Sequence, residues 1–382
     1  MNKKVMISAG EASGDLHAAN LVKALHQLDS SIKVTGMGSD KLREVGVNLL
    51  VDCADIAVVG IVEVLAKYRQ IKQALNILAD DIRKNPPDLL ILVDYQEFNF
   101  RLAKIARPLG VKVLFYISPQ VWAWRPHRVH TIGKLIDMMA VLFPFEEKFY
   151  RNANVPVTFV GHPLVDETRP NKTPDACYTE YSLSPDKQII GLFPGSRKGE
   201  IKRVLPVLLD ASELIQKKHP NAQFILPVAS TLSVEFIQPY LKNHSHLDIR
   251  VIKDRSYNIM QICNAIMTAS GTATLEIALM GIPNAIVYRI APLSYFILKR
   301  MITIDNIGLV NIVAEKNIVR EFIQHEARAK DIAAEIDRLL VDENYRNTML
   351  VEMKKVREKL GKEGGSGNIA QLAYEMLNSN QN

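Results

Sequence analysis

Apolar and polar positions follow two rhythms along this chain. Short runs such as 88–93 (DLLILV), 111–117 (VKVLFYI) and 188–193 (QIIGLF) are apolar almost without a break. Between them, apolar residues recur three and four positions apart. The runs predict strands at 4–8, 33–36, 88–93, 111–117, 137–142 and 156–160, and, after a polar interval, at 188–193, 222–227, 247–252, 264–268 and 284–288. Helical spacing covers 15–27, 63–84, 200–218, 272–280 and 326–360. Continuously apolar strands are buried on both faces, which is the habit of parallel sheets. Strands alternating with helices of this length form βαβ units.

The stretch 166–187 is polar, holds three prolines and has no clean period, so it is expected to be a linker. The pattern then restarts much as it began. The predicted architecture is α/β, with two Rossmann-like domains whose parallel sheets face across a cleft. The first domain is expected over 1–167 and the second over 168–354, and helices from about 355 to 382 are candidates to pack back on the first. Ligands of such sheets bind outside the carboxyl ends of the strands, so the loops at those ends carry the chemistry.

Five such stretches stand out. "AGEASGD" (9–15) closes the first strand with Glu11, Ser13 and Gly14, an acidic loop where a phosphate cradle would avoid charge; Asp15 is expected to cap helix 15–27. "VDYQEFN" (93–99) places Asp94 at the end of the strongest strand, where a carboxylate can act as general base. Glu97 competes for that role, and a turn-capping Asp is the bland alternative. "SPQVWAWR" (118–125) holds both tryptophans, Trp122 and Trp124, beside Arg125. Indoles next to an arginine suit a lipid–sugar headgroup, or equally packing between domains. "PGSR" (194–197) offers Gly195 for a tight turn, Ser196 as helix cap and Arg197 as a fork for phosphate oxygens. "ASGTATLE" (269–276) presents Ser270, Gly271 and Thr272 at a helix start, with Glu276 in the first turn; amides and hydroxyls suit a diphosphate, and the carboxylate suits a ribose.

A sixth stretch is a surface question. In 59–78, Val62, Leu65, Tyr68, Ile71 and Leu75 share a helical face, with Val64 beside them and Lys67, Arg69 and Lys72 interleaved. The face is either core or a contact with an anionic membrane. The absences narrow the field. There is no GxxxxGK[ST], no complete dinucleotide fingerprint and no G-x-S-x-G elbow. Cys53, Cys177 and Cys263 are scattered, so neither zinc nor disulfides are expected, and His127 and His130 lack companions for a metal site. The first strand begins too early for a signal peptide and no apolar run spans a bilayer, which predicts a cytoplasmic protein. The net charge of +6 favours anionic partners, but no RNA-binding motif is present and nucleic acid is not expected.

Taken together, "AGEASGD", "VVGIVEVL", "VDYQEFN", "YISPQVWAWR", "PFEEKFY", "VGHPL", "LFPGSR", "ASGTATLE" and "GLVNIVA" resemble the lipid-A-disaccharide synthase family nearly end to end. The resemblance implies a GT-B glycosyltransferase that joins UDP-2,3-diacylglucosamine to 2,3-diacylglucosamine 1-phosphate with inversion, giving a β-1,6 disaccharide and UDP, without a cofactor or metal. It implies a donor side with Gly195, Ser196, Arg197, Ser270, Gly271, Thr272, Glu276 and Asn311. It implies an acceptor side with Ser13, Gly14, Trp122 and Arg125, and Asp94 and Glu11 as catalytic candidates. Gln96 and Glu97 stand where the family motif has Pro and Asp, which weakens any role for Glu97 and leaves Asp94 in place as the favoured base beside Glu11. The resemblance also implies a homodimer, peripheral on the cytoplasmic face of the inner membrane, with Val62, Val64, Leu65, Tyr68 and Ile71 against the bilayer. The rivals are a UDP-N-acetylglucosamine 2-epimerase and a non-catalytic nucleotide-sugar binding module.

Overall fold

Two parallel sheets organise the molecule, a computed structural model that describes residues 3–55, 67–292, 295–296 and 306–379. The first sheet contains β1 (Lys4–Ala9), β2 (Lys33–Gly38), β3 (Asn48–Asp52), β4 (Leu89–Val93), β5 (Lys112–Tyr116), β6 (Met138–Val141) and β7 (Val157–Phe159), in the order β3-β2-β1-β4-β5-β6-β7. The second contains β8 (Ile189–Phe193), β9 (Gln223–Pro227), β10 (Ile249–Ile252), β11 (Ala265–Ala269), β12 (Asn284–Tyr288) and β13 (Glu321–Ile323), in the order β10-β9-β8-β11-β12-β13. Every pairing is parallel. The central strands β4, β8 and β11 are buried along their whole length, as their unbroken apolar runs require.

The order of each sheet reverses once: between β1 and β4 in the first, between β8 and β11 in the second. Such switch points open a crevice at the carboxyl ends of the two strands, because their connections leave in opposite directions. The loops singled out from sequence leave those four strand ends: Gly10–Glu11 after β1, Asp94 after β4, Gly195–Arg197 after β8, and Ser270–Glu276 after β11.

The chain divides into two compact units, Met1–Pro163 with Leu360–Asn382, and Leu164–Lys359. The helix Gly365–Asn378 packs on the helix Ala12–Leu28 of its own unit and buries Ile369, Ala370, Ala373 and Leu377. Full burial of a Leu or Ile contributes about 1.5–3 kcal/mol. Asn368 Nδ2 donates to Val160 O at 3.0 Å and Lys112 Nζ to Met376 O at 2.7 Å, fixing both ends of the returning segment.

Four elements differ from the sequence expectation. The polar interval 166–187 is not a bare linker: Thr173 Oγ1 accepts from Ala176 N at 3.3 Å to cap the helix Pro174–Tyr181. That helix sends Cys177 and Tyr181, one turn apart, into the core of the second unit. The expected helix 326–360 is two, Ala329–Val341 and Glu343–Lys359, because Asp342 turns its carboxylate onto Tyr345 N at 2.9 Å. Strands β3 and β13 were missed; both lie at sheet edges, where a short, half-covered run gives little apolar signal.

Candidate functional site

In the first unit, the carboxyl ends of β1 and β4 are tied by one buried side chain. Asn99 Oδ1 accepts from Ser8 Oγ at 2.7 Å, and Asn99 Nδ2 donates to Asp94 O at 2.7 Å and to Val93 O at 3.3 Å. Asp94 and Tyr95 lie at φ of 49° and 41°, two successive non-glycine residues in the left-handed region. Such residues cost of order 1–3 kcal/mol each and persist only where the surroundings over-determine them. Here Asn99 and the Asp94 N to Tyr116 O bond of 3.1 Å supply the constraint. Tyr95 swings against Gly10, where a Cβ would stand 2.2 Å from the ring, so only glycine fits at that position.

The turn aims Asp94 into a cavity of about 450 Å³ lined by Glu11, Tyr68, Ile71, Lys72, Leu75, Asp94, Tyr95, Gln96, Glu97, Phe98 and Arg101. Burial first, and the neighbouring Glu11 charge second, raise the Asp94 carboxyl above its ordinary value. Glu97, in the same wall, is exposed and held by Arg128 Nη2 at 2.7 Å. Ser13 is exposed on the first turn of helix Ala12–Leu28, and Gly14 is buried against β1 and β4. Asp15 does not cap its own helix. The helix starts at Ala12, and the buried Asp15 carboxylate instead accepts from Ser39 N at 2.7 Å and Lys41 N at 3.0 Å, capping the next short helix, Asp40–Glu44.

Trp122 and Arg125 do not line this cavity. Trp122 is half-buried, edge-on to Phe145, and its Nε1 donates to Glu146 Oε1 at 3.0 Å. Burial pushes the Glu146 carboxyl up to about 7. Arg125 lies 4.3 Å over the ring of Trp124, the more exposed indole. Tyr68, 51% exposed, and Ile71 join the Asp94 cavity, whereas Val62, Val64 and Leu65 lie outside the described residues. The reading of 59–78 as one surface therefore rests on its second half. That half is amphipathic: Ala74, Leu78 and Ile82 bury in the core, and Tyr68, Ile71, Lys72 and Leu75 face the cavity.

In the second unit, a cavity of about 340 Å³ opens at the ends of β8 and β11, with Gly195, Ser196, Arg197, Ser270, Gly271, Thr272 and Glu276 in its wall. Gly195 has φ 104°, and a Cβ there would meet Glu200 Oε2 at 2.3 Å. Ser196 is not the helix cap. Arg197 occupies that position, and Glu200 folds back so that Oε2 accepts from Ser196 N at 2.9 Å and Arg197 N at 3.2 Å. Those amides are thereby occupied, and the loop offers the Arg197 guanidinium, whose side chain is 71% exposed and pairs with Glu200 Oε1 at 3.2 Å.

Across the cavity, the helix Ala273–Met280 makes its first bond from Thr274 N to Gly271 O at 3.1 Å, so the amides of Gly271, Thr272 and Ala273 are the open donors of a helix N-terminus, while Ser270 N donates to Val287 O at 3.2 Å. Glu276 receives the Tyr257 hydroxyl at 2.8 Å, and burial raises its carboxyl above the ordinary value. Tyr257, Glu200 and Thr231, whose hydroxyl donates to Ser196 O at 2.9 Å, were not found from sequence. Asn311 does not reach the cavity wall. It is wholly buried: Nδ2 donates to Val319 O and Glu321 Oε1, both at 2.7 Å, and Oδ1 accepts from Ile318 N and Val319 N, both at 3.0 Å. Its influence runs through Glu321, which holds Ile307 N and Gly308 N, and Ile307 O in turn accepts from Ser270 Oγ at 3.2 Å. Among the described residues, no three His, Cys, Asp or Glu side chains gather as a metal site, and no helix is long and apolar enough to cross a membrane.

Two Rossmann-like units, each with a cavity at its switch point, define a protein of the GT-B class. Solved structures agree on the fold. The UDP-N-acetylglucosamine 2-epimerase from Neisseria meningitidis bound to UDP-GlcNAc superposes with a TM-score of 0.65 at 12% identity, over 98% of this chain and 99% of that one. The glycotransferase of kitacinnamycin gives 0.66 at 14% identity, over 98% of each. Sequence relatives are far nearer. Lipid-A-disaccharide synthase of Geobacter sulfurreducens is 52% identical across 98% of this chain and 97% of its own length, and that of Coxiella burnetii (strain Dugway) is 41% identical across 98% and 99%. The family model of lipid-A-disaccharide synthetase matches residues 5–373. The chain belongs to that family of glycosyltransferases.

Proposed function

We propose that the protein transfers the 2,3-diacylglucosamine unit of its UDP donor to the 6-hydroxyl of 2,3-diacylglucosamine 1-phosphate, with inversion. The observation that carries this reading is Asp94: a half-buried carboxylate in a strained turn, with a raised pKa, aimed into a cavity that is apolar on one side, in a chain of this family. Asp94 takes the proton of the acceptor hydroxyl as its oxygen bonds to the donor's anomeric carbon. The bond from that carbon to the diphosphate breaks on the opposite face, and UDP leaves with both electrons. No enzyme nucleophile is needed. In the second unit, Arg197 and the open amides before Thr274 meet the growing charge of the diphosphate, and Glu276 accepts ribose hydroxyls.

The epimerase likeness concerns the fold alone, since a soluble sugar nucleotide would have no use for the apolar wall of the Asp94 cavity. The reading extends to peripheral association with an anionic membrane, supported by the net charge of +6 and by the exposed Tyr68, and to a homodimer, supported by family resemblance. The deciding assay incubates the protein with both acylated substrates in detergent micelles and follows disaccharide and UDP. Equimolar formation of the two supports the reading, and UDP without disaccharide, or neither product, ends it. Vesicle co-sedimentation and light scattering on the purified protein test the membrane and dimer parts.

A further inference from the structure

The Asp94 cavity is electrically polarised. Glu11 and Asp94 stand at the strand-end side, whereas Lys72 and Arg101 project from the two helices that form its walls, Tyr68–Lys84 and Gln96–Ala106. Exposed lysines and arginines on helices commonly face a carboxylate three or four residues away. Lys72 has Tyr68, Arg69, Leu75 and Asn76 at those positions, none of them acidic. Arg101 has Glu97 one turn back, but Glu97 is held by Arg128. Neither cation has an ion-pair partner among the described residues. Between them and the core lies the apolar wall of Tyr68, Ile71, Leu75 and Phe98. A helix rises about 1.5 Å per residue, so Arg101 stands roughly 7.5 Å along its helix from Gln96.

We propose that Lys72 and Arg101 recognise the phosphate monoester of the acylated acceptor, and so fix which end of the sugar meets Asp94. The inference rests on the proposed function and adds the residues that set acceptor specificity and orientation. The carboxylates Glu11 and Asp94 repel a phosphate dianion, while the two cations attract it, so the ring lies with its phosphate on the helix side and its free hydroxyl toward the base. An acyl chain follows the apolar wall. Arg101 offers a fork to two phosphate oxygens, and Lys72 adds a point charge from the facing helix.

The test uses the full-length protein with Lys72→Gln, Arg101→Gln and the double change, each checked by thermal melting. Equilibrium binding and steady-state rates are measured with 2,3-diacylglucosamine 1-phosphate and with the same diacylglucosamine lacking phosphate, in neutral detergent micelles. The wild type is expected to bind the phosphorylated probe at least tenfold more tightly. The double variant is expected to lose at least tenfold on that probe alone, in equilibrium affinity and in kcat/KM. Equal losses on both probes, or no loss, overturn the proposal, as does a loss seen only as weaker recovery on anionic vesicles, which would make the pair a membrane anchor. The binding ratio is independent of turnover: if it holds while no disaccharide forms, the site stands and the proposed reaction falls.

Discussion

The loops that follow β1 and β8 look alike and are used in opposite ways. Each leaves a central strand through a glycine, carries an acidic residue nearby and opens a helix. In the second unit Glu200 turns back on its own loop, and its carboxylate is taken up by Ser196 N, Arg197 N and the Arg197 guanidinium. In the first unit Glu11 sits at the N-cap position without capping, is exposed, and its charge is felt by Asp94. One acid holds a loop that presents a cation; the other lends its charge to a neighbouring carboxyl group. The lesson is that an acid beside a glycine turn carries no fixed meaning. What it faces decides whether it serves structure or chemistry.

The largest expected effect falls on the base. Asp94→Asn should lower kcat by about 10²–10⁴-fold, the usual worth of general base catalysis, while UDP affinity, measured by calorimetry, stays within a few-fold. Next comes the clamp behind it. Asn99→Ala leaves Ser8 and the β4 end without their partner and should cost about 1–3 kcal/mol in urea unfolding, with turnover falling as Asp94 relaxes from its left-handed turn. If turnover is unchanged, the strain at Asp94 is incidental. On the other side of the comparison, Glu200→Gln keeps an acceptor for the loop amides and should hold turnover within a few-fold, whereas Glu200→Ala should lose about 1 kcal/mol of stability as a lost cap does. A collapse of turnover in Glu200→Gln would move that residue into the chemistry. The smallest change is Tyr257→Phe, which removes one hydrogen bond to Glu276 and should weaken UDP binding by about 0.5–1.5 kcal/mol.

The sheets were legible because buried parallel strands are continuous apolar runs, and β4 and β8 announce themselves in that way. The edge strands β3 and β13 were not, since half-covered edges need no such run. The positions of Asp94 and Ser270 at strand ends were legible because a polar group directly after an apolar run must sit at the sheet's rim. Residues whose partners are distant in sequence were misread or missed. Asp15 caps a helix 24 and 26 residues away, Tyr257 reaches Glu276 across 19, and Asn311 is consumed by a loop it closes. Periodicity reports the face of an element, not the partner that faces it. Trp122 teaches the same point: its indole nitrogen is answered by Glu146, 24 residues on.

The contrast between the two acids is tested most directly by the pH dependence of kcat/KM in the wild type and in Glu11→Gln. Asp94 must be ionised to accept a proton, so activity falls as pH drops through its raised pKa. Burial, the larger cause, remains in the variant, while the like charge of Glu11 is gone. The account predicts an acid limb above the ordinary Asp value of about 3.9 in both proteins, displaced to lower pH in Glu11→Gln. An acid limb that stays in place or moves to higher pH would contradict it.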